Sequence, residues 1–135
     1  MSLASHIAAA LPTLRAEVEA RMKDLCRVER KGEPVRDPAN GTYSDTWTLV
    51  YEGKCRVQNN SNLIRTTMTG ERERSVDDTS LHVPMSVTGI EVGDRATITA
   101  AVNDPDLVNR VLWVSGHFHK ADATARRLPV SEIQQ

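Results

Sequence analysis

Aromatic side chains are scarce in this chain, making up 4% of its 135 residues. One Phe, two Trp and two Tyr leave the core to Val, Leu, Ile and Ala, and they are too few for a base-stacking surface. Cysteine is nearly absent as well, with Cys26 and Cys55 alone. Two thiols neither make a disulfide framework nor complete a four-ligand zinc site. Each lies in an alternating apolar pattern, so each reads as a small core hydrophobe. No apolar run approaches the ~20 residues of a membrane-spanning helix. The first residues lack the basic start and apolar stretch of an export signal, so the expectation is a soluble protein made in the cytoplasm. A net charge of −1 gives no overall attraction to nucleic acid or to an anionic membrane.

What is present is the composition of an ordinary globular chain, 39% apolar and 26% charged. Its length fits one domain, residues 1–135, and no linker or internal repeat divides it. Leu14, Val18, Met22 and Leu25 recur at spacings of four, four and three, which lines one helix face. With Pro12 at the first helical position, the spacing predicts a helix over 12–24, preceded by a shorter or frayed helical piece over 3–10. Its apolar stripe requires packing, on its own domain or on a neighbouring subunit.

From Leu25 the apolar period becomes two, and the segment 25–131 reads as a barrel or sandwich. A first strand carries Cys26 and Val28 and ends near Gly32. Asp37 to Gly41 is dense in turn formers. Trp47, Leu49 and Tyr51 alternate along a second strand, and Glu52-Gly53 reads as a turn into a third strand with Cys55 and Val57 inward. Further strands are expected at Ser80–Pro84, Arg95–Val102, Arg110–His117 and Ala123–Val130. The fold class is therefore mainly β: a small antiparallel barrel or sandwich of six to seven strands with an N-terminal helix. Between Asn59 and Asp78 the pattern stops, giving one long polar loop inside a compact domain. Such loops are functional or solvated.

Catalytic constellations are missing from the pattern. The serines sit in polar loops or on strand faces without a base and an orienting partner. Asp94, Asp104 and Asp106 adjoin Gly, Pro or Asn, the setting of turn aspartates. His117 and His119 occupy alternate positions and invite a metal reading like that of cupin barrels. Val111 stands where that motif wants glycine, and Asp122 where it wants glutamate. No cofactor motif occurs. His82 lies on the polar side of its strand and His6 near the start, neither with an identifiable partner. Charge is segregated: Lys54, Arg56, Arg65, Arg72 and Arg74 cluster around the loop, Asp77 to Asp106 is acidic, and the end is basic again. Asp77, Asp78, Arg126 and Arg127 are the candidate charges for contacts between copies.

The order of these pieces resembles a known family. A helix precedes a strand and the turn Asp37-x-x-x-Gly41, followed by Thr46-Trp-Thr-Leu-Val-Tyr51, Glu52-Gly-Lys-Cys-Arg56 and Leu81-x-Val-Pro84. Val92-Gly-Asp94, Asp104-Pro-Asp-Leu-Val-x-Arg110, Leu112-x-Val114 and Ala123-Thr-Ala-Arg-Arg127 complete it. Nearly the whole chain is similar to the small head-to-tail joining proteins of long-tailed bacteriophages, the head-completion or stopper class. The resemblance implies a structural virion protein in a ring, usually of six copies, between the portal–adaptor complex and the tail terminator or tube. It implies assembly in the host cytoplasm, closure of the channel after packaging, and non-specific contact with double-stranded DNA. The internal loop would be the plug, with Asn59, Leu63, Ile64, Arg65, Met68, Arg72 and Arg74 as its candidate residues. Adaptor and tail terminator of the same neck are the near alternatives. An oligonucleotide-binding barrel of the OB type and a cupin-like metal enzyme are the alternatives of other classes.

Overall fold

Leu3–Glu19 is a single helix, α1, that runs through Pro12 rather than starting there. The computed structural model describes residues 3–59, 65–69, 72–76 and 79–132, with backbone alone for 65–69 and 72–76. An interior proline removes a backbone donor and costs roughly 3 kcal/mol. Three consecutive alanines, Ala8 to Ala10, and further good helix formers on either side outweigh that break. The helix also ends earlier than its apolar spacing predicts, because Asp24 already belongs to a strand. No α1 residue is buried, and Leu3, Ile7 and Leu14 of its stripe are exposed. Its C-terminal half is tied down by polar contacts. Arg15 Nε donates to Ala123 O at 3.0 Å, and Glu19 pairs with Lys54 at 3.2 Å. Met22, just beyond, is buried.

Among the described residues ten strands follow: β1 (Asp24–Lys31), β2 (Val35–Arg36), β3 (Tyr43–Ser44), β4 (Trp47–Asn59), β5 (Arg65–Thr69), β6 (Arg72–Val76), β7 (Thr79–Val83), β8 (Arg95–Ala100), β9 (Val111–Val114) and β10 (Arg126–Ser131). Six of them close an antiparallel barrel in the order β1-β4-β7-β10-β9-β8. Closure leaves those six strands no unpaired edge. Because successive barrel strands alternate in direction, β2–β3 and the loops 84–94 and 115–125 gather at one end. The helix-to-strand junction, the β5–β6 ribbon and the turn at Pro105–Leu107 gather at the other.

Inward positions build one apolar core from Cys26, Val28, Cys55, Leu81, Val83, Ala96, Ile98, Leu112, Val114, Leu128 and Val130. Both cysteines are free, fully buried and in contact, as their alternation predicts. The hydrogen bond with Cys26 and then burial push the Cys55 thiol far up. The Cys55 thiol therefore stays protonated, and both side chains serve as packing.

Three expectations are corrected here. Glu52-Gly53 is not a turn: β4 is one strand of 13 residues through it. Gly53 is there for close approach, since a Cβ at that position would sit 2.8 Å from the Tyr51 hydroxyl oxygen. That hydroxyl, held by burial with a pKa of about 12, donates to Lys54 O at 2.6 Å. Second, Trp47 and Leu49 do not share a face with Tyr51. Val28 pairs with Tyr51 and Glu29 with Leu49, so Val50 is an extra residue, a β-bulge that flips the alternation. Leu49 is consequently exposed, and Trp47 lies half-buried on the outer wall. Third, the strand expected to reach His117 stops at Val114.

Candidate functional site

The segment expected to be a structureless loop is largely a ribbon. Asn59 still belongs to β4, paired with Thr79. β5 and β6 then pair antiparallel from Arg65↔Val76 to Thr69↔Arg72. Thr66, Thr67 and Thr69 favour extended backbone, but neither ribbon face is apolar, so no alternation announces it. The register sets positions 65, 72 and 74, all arginine, on one face of the ribbon, with 66, 68, 73 and 75 on the other. Met68 pairs with Glu73. Leu63, Ile64, Asp77 and Asp78 lie outside the described residues.

At the opposite end the loop 84–94 is locked by Asp94. This residue is 2% exposed, and its carboxylate accepts from Arg30 Nε and Nη2, each at 3.0 Å, and from Glu91 N at 2.8 Å. The hydrogen bond to Asp94 raises the Arg30 pKa further. Gly93, at φ 93°, makes the turn that a side chain would strain. Asp94 is thus a structural anchor as well as a turn residue. Asp104 is a turn aspartate of the expected kind, its side chain accepting from Asp106 N at 3.1 Å.

His117 and His119 sit in the loop after β9, both exposed, with ring centroids 5.4 Å apart and planes 22° from parallel. Asp122, at φ 58°, is a turn residue. Among the described residues no three His, Cys, Asp or Glu side chains gather as a metal would need. The two rings instead flank a cleft of about 240 Å³ floored by Val87, Ile90, Phe118 and Leu128. Arg126 borders the same cleft and donates to Met85 O at 3.2 Å.

The structure therefore separates the two candidate arginines of β10. Arg126 serves the barrel itself, while Arg127 is exposed on the outer wall beside His82. His82 pairs with Arg127 on one side and Arg56 on the other. Its ring is buried, and Nε2 lies 3.0 Å from Ser80 Oγ. Burial, then Arg127 and Arg56, lower its pKa to about 4, so it is neutral near pH 7. Its partners were invisible in the sequence, because strand register decides them.

A second outer-wall cluster lies across β1, β4, β8 and β9. The Arg95 guanidinium stacks over Trp47 at 3.5 Å and pairs with Glu29 at 3.2 Å, and Trp47 and Trp113 ring centroids are 6.3 Å apart. These rings are surface packing, not core.

Neither a curated protein nor a solved structure matches the chain. A family model does, over residues 14–131, which spans the end of α1 and the whole barrel, and the chain belongs to that family, described as a family of unknown function (DUF6093).

Proposed function

We propose that the chain is a structural subunit of a bacteriophage neck, a head-to-tail connector of the stopper class. The observation that carries this reading is the β5–β6 ribbon, inserted between two adjacent strands of a closed barrel. A two-stranded ribbon is marginal in isolation. Among the described residues its two strands pair only with each other, and one face holds three arginine positions, so it suits packing against other molecules. The exposed stripe of Leu3, Ile7 and Leu14 on α1 is a second surface fit for a neighbouring copy.

In this reading about six copies form a ring, with portal and adaptor on the head side and the tail terminator or tube on the other. The ribbons close the channel around packaged DNA, and the role is assembly, not turnover. Electron microscopy of particles carrying the tagged protein tests this. Tag density at the head–tail junction is the expected result. Density on the capsid shell or tail tip, or absence from mature particles, ends the proposal. Density displaced to the portal face or to the tail tube would reassign the chain as adaptor or terminator.

A further inference from the structure

We infer that copies of this chain join through α1 of one copy laid across the outer wall of β4, β1, β8 and β9 of the next. The inference deepens the ring proposed above, on which its biological role rests, by naming the two faces that meet. On α1, Leu3, Ile7, Ala10 and Leu14 recur at spacings of four, three and four, and all are exposed. The side held to the barrel is a different one, where Leu11, Arg15 and Val18 are half-buried and Arg15 reaches Ala123. From Leu3 to Leu14 the helix carries no Asp, Glu, Lys or Arg. A helix adapted to water sets charged residues on its free side, and this one sets leucine, isoleucine and alanine there.

Register sets Leu49, Glu29, Arg95 and Trp113 in one outward row across β4, β1, β8 and β9. Trp47 adjoins the row, beneath the Arg95 guanidinium and 6.3 Å from Trp113. Leu49 is 55% exposed, and both tryptophans are only half-buried. The chain has two tryptophans, and its core takes neither. Trp and Arg are the residues most enriched where protein interfaces hold tightest. An ionic partner finds little on this wall, because Arg27, Lys31 and Arg95 each pair with an acid of the same chain. An uncharged helix suits it, and the alanines along α1 let that helix come close to two bulky indoles. The lengths agree as well. Leu3 to Leu14 spans about 16 Å of helix, and Leu49 to Trp113 spans three strand spacings, about 14 Å. The chain's own α1 is tied to Ala123 and Lys54, so the helix comes from a second copy. Unlike patches then meet, and such a contact propagates into a ring or a filament.

The test is sedimentation velocity of the intact protein over a concentration series, with tryptophan emission followed alongside. Association that grows with concentration is expected. Emission should move to the blue as it does, because both tryptophans lie on the wall that the helix would cover, a readout that needs no variant. Ile7→Glu and Leu49→Glu should each be monomeric while keeping the circular dichroism and melting temperature of the unmodified protein, since both sites are exposed. Mixed together, the two variants should form a one-to-one pair and nothing larger, because each keeps the half that the other lacks. A monomer throughout the series, or association without an emission shift, would overturn the inference. So would a mixture that stays monomeric, or association that survives either substitution alone, since like faces would then be meeting. Particle imaging tests where the chain sits and sedimentation tests which faces meet, so either proposal can fail alone.

Discussion

Arg30 and Asp94 join the end of β1 to the start of β8 through a two-pronged ion pair in which the carboxylate is buried and the guanidinium half-exposed. Three donors reach that carboxylate. The backbone around it is also committed, since Val114 N donates to Asp94 O at 2.9 Å and Gly93 N to Val114 O at 2.8 Å. The loop 84–94 and strand β9 thus hang on one residue.

Asp94→Ala is therefore expected to cost about 3 kcal/mol, because it removes three hydrogen bonds to a charged acceptor in a buried site. Asp94→Asn keeps the shape and should cost less. Arg30→Lys should behave more like a loss than a conservative change, as an ammonium cannot fork onto two oxygens. Urea unfolding midpoints check the ranking; Asp94→Ala within experimental error of the unmodified protein would refute it.

His82 makes acid stability a prediction with a definite sign. Its folded pKa of about 4 lies below the ordinary 6.5, so the folded state binds the proton less readily than the unfolded chain. The associated stability is complete above pH 6.5 and is lost as pH falls through 4, amounting to something on the order of 2 kcal/mol. His82→Gln should flatten this limb of a stability-against-pH curve relative to the unmodified protein. Parallel curves for the two would show that other groups govern it.

The Cys26–Cys55 pair predicts chemical silence. Two fully buried thiols in the core should resist a bulky thiol reagent until the barrel unfolds, because neither is accessible and burial also keeps Cys55 from forming the reactive thiolate. Labelling rates should track global unfolding in a denaturant series. Fast labelling in native buffer would mean that β1 and β4 part locally.

These particular residues also show what could be read in the chain and what could not. Inward positions such as Cys26, Cys55, Leu81 and Val114 follow from two-residue alternation, which is why the β class and the core were legible. Alternation alone sets Trp47 on the Tyr51 side of the strand; one bulged residue, Val50, reverses it, and a bulge has no reliable sequence mark. Gly53 looked like a turn because glycine serves both turns and close approaches; only the position of the Tyr51 ring tells them apart. The ribbon leaves no mark in the sequence because neither of its faces is apolar. The Arg56–His82–Arg127 row depends on register between strands far apart in sequence, which no local pattern encodes.

The ribbon itself gives the sharpest separation of fold from function. Asn59 and Thr79 are directly paired, so joining them through an Asn-Gly turn should close a tight hairpin between β4 and β7. Such a deletion removes residues that contribute nothing to the described core, so the melting temperature should change by no more than a few degrees. The expected phenotype is confined to assembly: particles that package DNA and then lose it, measured as nuclease-sensitive DNA after filling. An unfolded deletion product would mean that the ribbon is part of the barrel's stability. Particles that retain their DNA would mean that it closes nothing, leaving the barrel walls and the α1 stripe as the surfaces that matter.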